Sequence, residues 1–208
     1  MYNPAHFAET RPEVLHAFLR AHPLSTLVTL GADGMTANYI PMLLREGVGA
    51  HGALVGHVAR ANPVWRASDL KTPVLALFQG PHHYISPSWY ATKAEHGKVV
   101  PTWNYAVVQV RGMLHIRDDA DWLRAQVTHI TRQQESAFAK PWAVDDAPRD
   151  YTDTMIKALV GIEIAITSIT GKWKVSQNQP SVNQATVVQG LQQLGTHAGH
   201  AMATLVQR

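Results

Sequence analysis

The sequence predicts a mainly β protein, a small antiparallel barrel with peripheral helices, on three observations. Five or six short segments either alternate apolar and polar residues or run apolar between turn residues. A helix precedes them and helices follow. No regular strand and helix interleaving occurs of the kind that builds a doubly wound parallel sheet. The chain also contains no GxGxxG or GxxxxGKS/T phosphate loop that would favour that alternative. With 208 residues the chain is read as one domain over 1–208, with an N-terminal helix, a helical insertion near 119–136 and a helical tail from about 182.

The elements follow in order. Pro12 to Ala21 reads as a helix: Thr10 can cap it, Pro12 suits a first turn, and Val14, Leu15, Phe18 and Leu19 recur at helical spacing. His22-Pro23 ends it. LSTLVTL, the turn from Gly31 to Gly34, and MTANYIPMLL then read as a hairpin of two strands, and ALVGHV makes a third. Asn62-Pro63 opens a short helical segment, NPVWRASDL. PVLALFQG is a fourth strand, so apolar that burial on both faces is expected.

From Pro81 to Tyr105 the chain concentrates Trp89, Trp103, three tyrosines and three histidines in a stretch with little periodicity. Irregular segments this long in compact domains are functional or disordered, and the aromatic content argues against disorder. AVVQVRGMLHI returns to alternation. Asp118 or Asp119 can cap a helix from Ala120 to Ser136, with Trp122, Leu123, Val127 and Ile130 inward and Arg124 and Arg132 outward. An acidic linker precedes a short helix at TDTMIKALV. GIEIAITSITGKWKV is either a strand pair or one long bent strand, and the tail from Val182 to Val206 is helical, interrupted by Gly190, Gly195 and Gly199.

Composition narrows the chemistry. The absence of cysteine excludes disulfides, thiolate zinc sites and cysteine nucleophiles, so redox chemistry needs a borrowed cofactor. The first residues have neither the basic start nor the apolar run of a signal peptide, and no later run reaches the ~18 residues of a membrane span, so a cytoplasmic location without membrane partners is expected. A formal charge of +3 is compatible with nucleic acid without arguing for it. Among the twelve histidines, His82-His83 are adjacent and so point to opposite sides, and no HExxH or carboxylate triad accompanies them. No residue is singled out as a haem ligand. Ser86, Ser88 and Ser176 lack a nucleophile elbow.

Five blocks carry a resemblance that composition does not. MYNPAHF, GHVARANPVW, YISPSWY, VVPTWNYAVVQVRG and GKWKVSQNQP, in this order through nearly the whole chain, resemble the PaiB-type family of FMN-binding negative transcriptional regulators. The resemblance implies an antiparallel, Greek-key FMN-binding split β-barrel of the pyridoxamine-phosphate-oxidase type, a homodimer with flavin in the groove between subunits, and a link to repression of protease and sporulation genes.

It also implies a flavin site. The phosphate belongs near the turn after the third strand, where Arg60 offers a planar fork, Asn62 and His57 can donate, and backbone amides open a helix at Pro63. Taken alone, Arg60 is equally a solvated turn residue and Asn62 a helix cap. The ring belongs against Asn38, Tyr39 and Ile40, in what is otherwise an ordinary strand ending at proline. Trp103 and Asn104, with Tyr105, can cover the ring or complete a substrate pocket, and Trp89 and Tyr90 can form a lid, although such aromatics equally serve core or dimer interface. Lys174 and Gln177, with Ser176, follow the last strand, where Lys174 either attracts phosphate or ends an exposed strand in solvent. Three functions compete: an FMN-binding regulator; an FMN-dependent oxidoreductase in which the ring carries the electrons and no side chain stands out as an acid or base; and a dimeric flavin carrier or a fold relative that has lost the cofactor. For DNA there is no helix-turn-helix pattern, and Arg111, Arg117, Arg124 and Arg132 are scattered.

Overall fold

Strand formation begins where alternation does. In the computed structural model, which describes residues 1–207, the chain runs through α1 (Pro12–Ala21), β2 (Leu24–Gly31), β3 (Gly34–Pro41), β4 (Leu43–Arg45), β5 (Ala53–Ala59), α2 (Val64–Ala67), β6 (Val74–Ile85), α3 (Lys93–His96), β7 (Thr102–Arg117), α4 (Ala120–Glu135), α5 (Arg149–Lys157), β8 (Leu159–Lys174), α6 (Ser181–Gln193) and α7 (His197–Val206). A two-residue strand, β1 (Ala8–Glu9), precedes α1 and pairs with β8. The sheet order is β3-β2-β6-β7-β8-β5-β4, mainly antiparallel, in line with the mainly β class that the sequence predicts. No described helix is long and apolar enough to cross a membrane.

Contacts cluster into two compact units. One comprises residues 19–78 and 109–169; the other comprises 1–18, 79–108 and the chain from Thr170 onward. In the first, Leu27, Ile40, Met42, Leu54, Ala76, Phe78, Val110, Ile162 and Ile164 are buried. In the second, Leu15, Phe18 and Trp173 pack together with Phe18 edge-on to Trp173, and Val187, Leu191, Met202 and Leu205 join α6 to α7. The last two helices separate at Gly195, whose φ of +64° suits glycine.

Several expectations are corrected. MTANYIPMLL is two strands rather than one. β3 pairs with β2 as far as Leu24 opposite Pro41, the Met42 amide then bonds Pro23 O at 2.8 Å, and β4 pairs with β5 instead. The proline, lacking an N–H, marks the change of partner. The helix expected after Asn62 is only one turn, because Ser68 leaves it in an extended conformation and bridges Gly31. The fourth strand is not buried on both faces: Val74, Ala76 and Phe78 are buried, whereas Leu75 and Leu77 are half-exposed. It also continues through Pro81, His82 and Tyr84 to Ile85, so the irregular segment shrinks to 86–101. β8 is one sixteen-residue strand, which resolves the two possibilities left open by its sequence. Asp119 is the cap of α4, accepting from Trp122 N at 2.7 Å. On that helix Gln126 is buried and Val127 and Ile130 are only half-buried, while Arg124 pairs with Asp153 instead of pointing free into solvent.

Candidate functional site

The residues implicated by the sequence fall into one set in each unit. In the first unit β3 is an edge strand, and its outward side chains are Met35, Ala37, Tyr39 and Pro41. Their register partners Leu30, Val28, Thr26 and Leu24 on β2 extend the same face, as do Leu75 and Leu77 on β6. Met35 is 79% and Tyr39 74% exposed, so this sheet face is apolar and uncovered. Ile40 points the other way, into the core. Asn38 lies on the Ile40 side and its Oδ1 accepts from Asn62 Nδ2 at 3.0 Å, which joins β3 to the turn after β5. Asn62 Oδ1 in turn accepts from Val64 N at 2.9 Å, so Asn62 ties the start of α2 to β3.

Arg60 is differently engaged. Its Nη1 and Nη2 donate to the two carboxylate oxygens of Asp118 at 2.9 and 2.5 Å, Nε donates to Lys157 O, and Nη2 donates also to Leu159 O. The fork that would suit a phosphate already holds a carboxylate, leaving one of five N–H donors. The hydrogen bond from Arg60 holds the Asp118 carboxyl below its usual range. A carboxyl lowered in this way adds stability above its unfolded pKa, and that stability is lost as pH falls through the folded pKa. Asp118→Asn is therefore expected to make unfolding less sensitive to acid, measured as a flatter stability profile below the ordinary carboxylate range. His57 is held too: its Nδ1 lies 2.7 Å from Gln126 Oε1.

In the second unit, Trp103, Asn104 and Tyr105 open β7 and Lys174 ends β8. Asn104 is 1% exposed; its Nδ2 donates to Ser176 Oγ at 2.8 Å, and its Oδ1 is buried with no partner among the described residues. Ser176 has a φ of +67°, the one described non-glycine residue in that region. The Gln177 side chain closes this turn, donating to Trp173 O and accepting from Val175 N. Lys174 Nζ donates to Thr102 Oγ1 and, at 2.8 Å, to Trp103 O. Two residues earlier, buried Lys172 donates to Tyr2 O at 3.0 Å and sits 5.4 Å from the Tyr105 ring centre. Neither ammonium has a carboxylate partner among the described residues, and burial, with Lys172 nearby, lowers the pKa of Lys174. Trp103 is half-exposed, with His82 stacked at 6.1 Å and Tyr84 edge-on at 6.1 Å. Sequence reasoning missed Asp118 as the partner of Arg60, and missed Thr102 and Lys172. The alternation of Lys172 and Lys174 along one strand was the available signal for the latter.

An anion and an aromatic imide fit these residues. Within this second unit, two ammonium groups without counter-ions among the described residues suit a phosphate, the unpartnered Asn104 Oδ1 suits an N–H such as that of the isoalloxazine imide, and exposed Trp103 suits a flat ring.

Comparison with known proteins defines the fold class first: a split β-barrel. The FAD and heme binding protein from Mycobacterium smegmatis superposes with a TM-score of 0.56 at 17% identity, over 80% of this chain and 72% of that one. The flavocytochrome Anf3 from Azotobacter vinelandii also gives 0.56, at 14% identity, over 81% and 69% of the two chains. At these identities the likeness is one of fold. The family model described as "Putative FMN-binding domain" matches residues 1–168, and the chain belongs to this PaiB-type family, whose cofactor is FMN. The Bacillus subtilis protein called "Protease synthase and sporulation protein PAI 2" is 30% identical over 100% of this chain and 97% of its own. An uncharacterized protein of Emericella nidulans is 34% identical over 100% and 96%.

Proposed function

We propose that this chain is a cytoplasmic FMN-binding homodimer that acts as a flavin-bearing regulator of gene expression. The observation that carries the dimer is the apolar face of β3 and β2: Met35, Ala37, Tyr39, Pro41, Leu24 and Leu30, with half-exposed Val28, form a contiguous sheet surface that no other described element covers. Such surfaces in water mark interfaces, and a second copy is self-complementary by symmetry. Tyr39→Asp and Met35→Asp each place a charge on that face without touching the core. Sedimentation equilibrium is expected to give a dimer for the unmodified chain and a monomer for both variants; a monomeric unmodified chain would remove the dimer from the proposal.

The proposed flavin contacts are of two kinds. Asn38 and Tyr39, with the buried Ile40 behind them, and Asn62 offer ring or phosphate contacts in one unit; Trp103, Asn104 and Lys174 offer them in the other. Arg60, His57 and Gln177 act as positioning residues, because their polar atoms are engaged by Asp118, by Gln126 and by the turn around Ser176. When bound, FMN supplies electron transfer through its ring; the side chains orient it and neutralise its phosphate.

The regulatory part is supported by the full-length likeness to the Bacillus subtilis protein named for protease synthase and sporulation. Any direct DNA contact is expected to be driven by phosphates and steeply salt-dependent. An affinity constant across a salt titration would count against that mode. A second reading, an FMN-dependent oxidoreductase, is favoured by the solvent-facing aromatic shelf of Trp103, His82 and Tyr84, which fits a ring-bearing substrate. NADH or NADPH oxidation by the FMN-loaded protein tests it.

A further inference from the structure

We propose that the half-open pocket between α4, β4 and β5 is a second ligand site, which takes a small monocyclic carboxylate. This goes beyond the flavin assignment. Trp122, Ala125, Gln126 and His129 present one face of α4, at helical spacing, to Leu43, Leu44, Arg45 and Val55. The space between them is about 170 Å³ and opens to solvent past Ala125 and His129. A cavity of roughly 150 Å³ lined by hydrocarbon holds a benzene molecule, so the volume matches one six-membered ring. Leu44, Val55 and Trp122 supply apolar walls for that ring.

The polar groups select the substituent. Gln126 is only 5% exposed, and one end of its amide is satisfied by His57 while the other has no hydrogen-bond partner. A buried amide left half-satisfied is costly unless water or a ligand completes it, and a ligand acceptor in this pocket does so. Arg45 Nη2 and Arg117 Nη2 both donate to the buried carboxylate of Glu163, at 2.9 and 3.1 Å. Two guanidinium groups share one carboxylate, which leaves one positive charge in excess. Arg45 lines the cavity and engages Glu163 through Nη2 alone, so its Nε and Nη1 hydrogens remain available to an anion. An acceptor-bearing, negatively charged ligand satisfies both demands, whereas a cation of the same shape satisfies neither.

Calorimetric titration of the full-length protein with benzoate and with benzylammonium tests the assignment. Benzoate is expected to bind saturably at one site per chain, and benzylammonium not to bind. Arg45→Gln is expected to weaken benzoate by about tenfold or more, the worth of a charge-assisted hydrogen bond. Ala125→Leu, at an exposed helical position that tolerates leucine, fills the space and is expected to abolish benzoate binding while the circular dichroism spectrum and FMN affinity stay unchanged. The proposal is overturned if benzoate shows no saturable binding at millimolar concentration, if Ala125→Leu binds it as well as the unmodified protein, or if benzylammonium binds equally well.

Discussion

Replacing Lys174 with methionine is expected to lower FMN affinity by about 10- to 100-fold, the range of a charge-assisted contact to phosphate, and to leave riboflavin affinity unchanged. The ammonium is already held by Thr102 Oγ1 and Trp103 O and retains one N–H. Burial lowers its pKa, as does the proximity of Lys172, so the folded protein disfavours the charge that a phosphate would restore. The sign of the pH dependence follows. A phosphate favours the protonated amine, so the complex takes up a proton, and FMN affinity falls as pH rises through the lowered pKa of Lys174. Unaltered FMN binding in the Lys174→Met variant would instead place the phosphate on the turn after β5. There Arg60→Ala with Asn62→Ala becomes the decisive variant, despite the grip of Asp118 on Arg60.

The second large effect concerns stability. Gly112 lies on β7 where a Cβ would come within 2.3 Å of Ala165 O and 2.6 Å of Ile164 Cγ2. The first of these neighbours is backbone and the second is fully buried, so neither yields cheaply. Gly112→Ala is expected to cost about 3 kcal/mol, a typical upper figure for overpacking, and to lower Tm by roughly 6–12 °C in a chain of this size. Gly47 provides the contrast: its Cβ would meet nothing within 4 Å, and only its φ of +76° opposes a side chain. Gly47→Ala is expected to cost about 1 kcal/mol. Equal melting shifts for the two would contradict the close approach of β7 and β8 at Gly112.

Alternation and capping made much of this architecture readable in advance. The hairpin of β2 and β3, the strand at β5, the capped helix α4 and the helical tail follow from patterns a few residues long. What escaped depends on partners far away in the chain. Pro81 suggested that β6 ends, yet it continues to Ile85, because strand pairing rather than local propensity decides there. The Arg60 fork looked free because Asp118 lies 58 residues further on. Asn104 and Ser176 are 72 residues apart, so their pairing and the positive φ of Ser176 had no local signature. Gln126 was not among the inward positions read from α4, and its burial goes with a hydrogen-bond partner, His57, that lies 69 residues earlier. Lys174 was accessible to sequence reasoning through the KVSQN block, but the absence of any carboxylate beside it required the structure.

The measurement that tests the central claim most directly is the titration of the purified apo-protein with FMN and with riboflavin, followed by flavin fluorescence. Both ligands carry the ring, and only FMN carries the phosphate, so their ratio isolates the charged contacts. Saturable binding of FMN, at least about tenfold tighter than riboflavin, is the predicted result. Absence of FMN binding, or equal affinity for the two, would contradict the account of a phosphate-anchored flavin on this fold.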